Sequence, residues 1–183
     1  MNNKAVITST IGYMCLALAG WMSSMPNAGW YDALYPHGMA MMLPLGMVLG
    51  VMGILAFLCG RALDSIIFFG GAGLFLVNHL AAGAMAAGEP PSYMGWYAFV
   101  WAVFFCWVWL GSFKAGVARM LFLLGLWLTM LALAIGGWGS LHGFIMLGGY
   151  LGLATAILAA ITSAIDMICH GMRGNPNHEA RTA

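Results

Sequence analysis

Charge is what this chain has least of. Five acidic and six basic side chains make up 6% of its 183 residues, whereas a soluble domain carries about 25% because its whole exterior faces water. So poor a supply excludes a water-facing surface and leaves lipid as the exterior. No lysine or arginine run exists, which excludes nucleic acid as a partner. The four cysteines, Cys15, Cys59, Cys106 and Cys169, stand far apart in apolar segments, without metal-ligand spacing, so no metal or cofactor is expected. Paired carboxylates, a nucleophile beside a base and a phosphate loop are all missing, so no enzyme is expected either. An ordinary signal peptide is excluded by Lys4, which leads into an apolar stretch too long for one.

What the chain has is apolar length: 63% of it is hydrophobic, with a mean hydropathy of +0.92. Spanning the bilayer takes about 20 mainly apolar residues per helix. Breaks at Pro26–Gly29, at the charged turn Arg61–Asp64, at Glu89-Pro90-Pro91, at Lys114–Gly116 and at Gly136–Gly139 divide it into six. The expected helices are 7–25, 38–60, 65–87, 93–112, 117–137 and 143–169, with Pro44 in the first turns of the second, where its missing N–H costs least. The expected fold class is therefore all-α: a polytopic integral membrane protein, 1–183 forming one six-helix transmembrane domain with a polar tail at 170–183.

Alternating sides places Lys4, Arg61, Lys114, Arg119, Arg173 and Arg181 together and leaves the other loops without lysine or arginine. The positive-inside rule assigns the basic side to the cytoplasm, so both termini are expected there, in the plasma (inner) membrane. The opposite side collects Trp30, Tyr31, Tyr35, Tyr93, Trp96, Tyr97 and Trp138, rings suited to the interface. Gly148, Gly152, Ala156, Ala160 and Ala164 recur every four residues along helix six, and Gly46 and Gly50 do so on helix two. Such ridges let backbones approach where lipid supplies no hydrophobic drive.

Polar residues within spans are the candidates for function, because each is costly there. Asn78 and His79 fall in the outer half of helix three, either as donors at an outer vestibule or as an ordinary interhelical bond. Thr155, Ala159, Thr162 and Asp166 share one face of helix six, opposed to much of the small-residue ridge, and make a candidate polar path. Asp166 lies near the cytoplasmic end, within reach of Arg119 or Arg173. Thr129 is a lone hydroxyl able to bond its own helix and is given no role. His79 and His142 as haem ligands would make a respiratory subunit, but they meet only near the outer surface.

The later segments resemble a known family. Gly111-Ser112-Phe113-Lys114, then Arg119, the run Leu126–Gly136 and Gly149-Tyr150-Leu151-Gly152 are similar to the acetate uptake transporters, the succinate–acetate permease family. Asn27 and Gly29 keep part of the family's turn after helix one, and Gly73-Leu74-Phe75 fits its third helix. The family's opening signature is replaced by Ile7-Thr8-Ser9-Thr10-Ile11-Gly12, so this is a divergent member by resemblance. The likeness implies six spans, a hexamer, and a pore narrowing at an aromatic, an aromatic and a leucine. Those positions are Leu16, Ala72 and Leu126 here, with Phe68, Phe69 or Phe75 as fillers for the lost rings.

The function this implies is a transporter or channel for small monocarboxylates such as acetate. With no cation at mid-depth, proton-linked passage past an apolar neck is expected. Asn27 joins the candidate lining, and Lys114, Arg119 and Asp166 the cytoplasmic mouth. A channel for a small neutral solute (urea, ammonia, glycerol) remains the alternative, and a respiratory membrane subunit a lesser one. The expected partners are the lipid bilayer, a small carboxylic acid or anion, and further copies of the chain.

Overall fold

The computed structural model describes residues 3–30, 41–86 and 91–171. Among them are six helices: α1 Asn3–Asn27, α2 Met42–Leu58, α3 Ala62–Ala86, α4 Pro91–Gly111, α5 Val117–Gly139 and α6 His142–Gly171. The all-α expectation holds. In lipid every backbone N–H and C=O needs a partner within the chain, and a helix supplies one to almost all of them. Five helices have the length and apolar character to cross a membrane, with mean hydropathy between 1.5 and 2.1. The described part of α2 is shorter, at 17 residues, or about 25 Å. The start expected for it at residue 38 and the tail beyond 171 lie outside the described residues, as do Tyr31 and Tyr35.

The helices form a ring in chain order. α1 packs on α6 and α2, α2 on α3, and α5 between α4 and α6, while α3 touches α4 and α1 more lightly. Lys4, Arg61, Lys114, Arg119 and Asp166 gather at one end, the charged end. Trp30, Tyr93, Trp96 and Trp138 are exposed at the other.

Several breaks fall elsewhere than expected. α1 runs through Pro26 and stops one residue later, so the proline removes one N–H bond to the preceding turn only at the helix's end. Gly29, at φ 78, reverses the chain there: Trp30 N–H donates to Met25 O (3.1 Å) and Gly29 N–H to Pro26 O (3.0 Å), the two bonds of a Schellman cap. The same cap ends α2. Gly60, at φ 73, lets Arg61 N–H reach Ala56 O (2.9 Å) and Gly60 N–H reach Phe57 O (2.9 Å). It turns Arg61 back over the bundle. The supposed charged turn Arg61–Asp64 is then mostly helix, since α3 begins at Ala62 and Asp64 sits in its first turn.

Gly136 and Gly137 do not break α5, which continues to Gly139. These glycines serve contact. A Cβ on Gly137 would lie 2.7 Å from Gly95 N and 2.8 Å from Gly95 Cα, so α5 and α4 touch backbone to backbone. The break comes instead at Ser140, in left-handed geometry at φ 50, and His142 opens α6 rather than lying in a loop.

Gly137→Ala is expected to destabilise the protein by about 2 kcal/mol, because rigid backbone must move aside. Gly111→Ala, where nothing lies within 4 Å of the added carbon, is the neutral comparison. Melting curves in detergent test this, and equal midpoints for the two variants would refute the close contact.

Candidate permeation path and its charged end

Inside the ring lies a small central cavity of about 30 Å³, on the scale of a water molecule. α1 contributes Leu16, Gly20, Ser23 and Ser24; α3 contributes Gly71 and Phe75; α4 contributes Phe105. α5 adds Phe122, Leu126 and Thr129, and α6 adds Gly152 and Thr155. Leu16 rests on Gly71, where a Cβ would meet its side chain. Ala72, one residue on, faces α2 instead, with Gly46 and Gly50 opposite it. Of the three residues proposed as fillers, Phe75 lines the cavity. Phe68 is fully buried over Gly12, and Phe69 is partly exposed against Gly53. Thr155 shares the cavity with Gly152 and Ala156 of the small-residue ridge, so the two faces adjoin rather than oppose.

Every lining residue is uncharged. Four of them carry a hydroxyl, and three of these direct its hydrogen to their own helix: Ser23 to Gly20 O (3.1 Å), Thr129 to Gly125 O (2.8 Å) and Thr155 to Leu151 O (2.7 Å). A hydroxyl has one hydrogen and two lone pairs, so what these three present to the cavity is acceptors.

Toward the aromatic end a second space of about 180 Å³ is lined by Asn27, Asn78, Met94, Tyr97 and others. Leu74 and Met130 line both spaces and stand between them. Asn27 Nδ2 donates to Ser23 O at 3.3 Å, and the Tyr97 hydroxyl to Leu74 O at 2.9 Å. His79 is half-buried and lines neither space.

Toward the charged end the ring closes in layers. Tyr13, fully buried, meets Phe68 and Phe122 edge-on at 5.3 and 5.8 Å; Ala159 is buried in the same hydrophobic core. Below it lies an ionic layer. Arg119 Nη2 donates to both oxygens of Asp166 at 3.0 and 2.7 Å, and its Nε is 3.5 Å from Asp64 Oδ1. Arg61 pairs with Asp64, approaches Asp166 at 3.9 Å and donates to Ala5 O at 2.9 Å. The Tyr13 hydroxyl donates to Asp64 at 3.1 Å, Ser9 donates to Asp166, and the Arg119 guanidinium stands 5.6 Å from the Tyr13 ring centre. From Leu126 to Arg119 is seven residues, so this layer lies about 10 Å below the neck.

Asp166 thus has Arg119 as partner, one of the two candidates from sequence, while Arg173 lies outside the described residues. Lys114 is exposed in the turn before α5. Thr162 is buried, bonded to Leu158 O at 2.8 Å, and lines neither space. Tyr13, Arg61, Asp64 and Ser9 were not among the sequence candidates. The available signal was charge balance: two arginines and two aspartates at helix ends, with Ser9, Tyr13 and Leu16 on one face of α1.

With this geometry in hand, solved structures offer a match. The bacterial acetate channel SatP is 19% identical, the alignment covers 96% of each chain, and the TM-score is 0.84. This chain has the fold of an acetate channel. Neither a protein-family model nor a curated protein matches the sequence. The likeness spans the whole ring, agrees with the family resemblance read from the later helices, and makes the chain a polytopic membrane protein.

The ionic layer predicts a stability effect. Asp64 has only 4% of its side chain exposed, so Asp64→Asn leaves an arginine under-neutralised in a dry site and is expected to cost about 3 kcal/mol. A melting midpoint within a degree of wild type would show that the pairing contributes nothing.

Proposed function

We propose that this chain carries small monocarboxylates such as acetate across the plasma membrane, in proton-linked fashion, with its charged end and both termini in the cytoplasm. The observation that carries the reading is the central cavity, which is uncharged, narrow and supplied mainly with acceptors. A carboxylate accepts hydrogen bonds and donates none, so it finds few partners there and loses its hydration. Near the middle of a bilayer that loss costs several kcal/mol. The protonated acid is neutral, and its O–H suits lone pairs such as those of Thr129 and Thr155. Leu16 and Leu126 form the neck with Gly71, flanked by Phe75 and Phe122; Ala72 sets the spacing of α3 on α2. Asn27, Asn78 and His79 belong to the outer approach, Thr155, Ala159 and Thr162 to the inward face of α6, and Lys114, Arg119 and Asp166 to the mouth. The fold likeness to an acetate channel supports this reading, and assembly as a hexamer is proposed with it.

A second reading follows from the same cavity: a neutral neck also suits urea, ammonia or glycerol. Uptake of labelled acetate and of urea into proteoliposomes, each with the other as competitor, separates the two. Acetate uptake that rises as pH falls, at fixed total acetate, is expected; uptake unchanged between neutral and acidic pH would sink the proton linkage. Leu126→Trp is expected to reduce uptake roughly tenfold or more, since the space cannot accept an indole without repacking. Leu126→Ala should widen the neck and admit longer acids, and uptake unaffected by both changes would place the path elsewhere.

A further inference from the structure

The acid that leaves the central cavity toward the charged end meets Tyr13 and then four paired ions, and nothing in the neutral-neck picture says how it passes them. We propose that Arg119 receives the carboxylate of the permeant in place of Asp166, and that Asp166 takes the proton the permeant gives up. The inference rests on the monocarboxylate reading and assigns residues to its coupling step.

The geometry supports an exchange because the two anions are the same chemical group. Arg119 Nη2 already holds a carboxylate by both oxygens, at 3.0 and 2.7 Å. A guanidinium is planar and always charged, and it fits any carboxylate offered in that plane. Its Nε is buried and ion-paired with Asp64 at 3.5 Å but makes no hydrogen bond among the described residues, so the fork has donor capacity to spare. The approach is over an aromatic face: Phe122 lines the cavity and abuts Tyr13, whose ring lies 5.6 Å from the guanidinium carbon. These two rings thus connect the lining of the apolar neck to the cation.

Charge decides where the proton goes. Two arginines and two aspartates sum to zero, and a third carboxylate added to them would leave a net negative charge in a largely buried layer. If the O–H bond of the entering acid breaks as an O–H bond forms on Asp166, the sum stays zero: two guanidinium ions, ionised Asp64 and the permeant anion, with Asp166 neutral. Arg119, Arg61 and Ser9, which face Asp166 among the described residues, allow this state. Arg119 from α5 turns to the permeant, Arg61 from the α2–α3 turn keeps Asp64, and Ser9 from α1 can bond a protonated carboxyl as well as an ionised one. Tyr13 holds Asp64 at 3.1 Å and so keeps the second aspartate out of the exchange. When the anion departs to water, Asp166 releases its proton the same way and the resting pair re-forms. One acid crosses as one proton and one anion.

The test uses the full chain in proteoliposomes. Arg119→Gln is expected to lower acetate uptake roughly tenfold or more, the loss of a charge-assisted bond to the anion. Arg119→Lys should fall between, keeping charge without the fork. Asp166→Asn, which cannot take up the proton, should lower acetate uptake and flatten its pH dependence while leaving glycerol leakage unchanged. A readout on the wild-type protein needs no variant to fold: infrared difference spectra on adding ¹³C-labelled acetate should show a new protonated-carboxyl band. Its absence overturns the proposal, as does wild-type acetate uptake and pH dependence in Asp166→Asn. Wild-type protein that takes up no acetate at any pH overturns instead the monocarboxylate reading on which this one stands.

Discussion

The grip of Arg119 on both oxygens of Asp166 is the contact on which the charged end depends. It joins α5 to α6, and through Asp64 and Arg61 it reaches α3 and the turn before it. Ser9 and Tyr13 bring in α1. Buried ion pairs are poor stabilisers, because the desolvation of two charges consumes most of their attraction. What they do supply is register: a guanidinium satisfied at one axial position is left unsatisfied by a one-turn slip. In a bundle whose helices present mostly smooth apolar surface to one another, such a fixed point has structural value that leucine lacks.

The rest of the ring is assembled by close approach rather than by polar bonds. Gly137 lies against Gly95, Gly71 under Leu16, and Gly152 beside Ser24. Lipid surrounds the bundle with hydrocarbon as apolar as its own side chains, so contact area and the absence of voids decide which helices pair. The narrow central cavity follows from the same packing. Glycine brings the walls together, and Leu16, Leu126 and Phe75 fill most of what remains. The lining of the cavity is uncharged throughout, and the paired ions stand in a layer about two turns farther on.

Much of this was legible in the residue order. Scarce charge, six apolar stretches and basic residues on alternate connections predict a helical membrane bundle, because the bilayer tolerates so few other structures. Leu16 and Leu126 could be nominated from resemblance, and Asp166 with Arg119 from their nearness to one helix end. By sequence Asp64 belongs to a charged turn with Arg61, three residues before it. Only the cap at Gly60, which folds Arg61 back and starts α3 early, makes it a buried ion. By sequence Gly136 and Gly137 mark a break, since a glycine that serves backbone contact and one that ends a helix look alike there.

By itself the sequence determined the class of molecule, the number of its rods and the end at which its charges collect. Each of these depends on transfer of side chains and backbone between water and lipid, a property local to a segment. The tertiary structure alone decided that Tyr13, Arg61, Asp64, Arg119 and Asp166 form one layer, and that Ala72 faces α2 while Gly71 faces the cavity. Those facts depend on the rotation and axial offset of neighbouring helices. A shift of one residue turns a helix face by about 100°, and nothing in a single apolar helix fixes that angle until another packs against it.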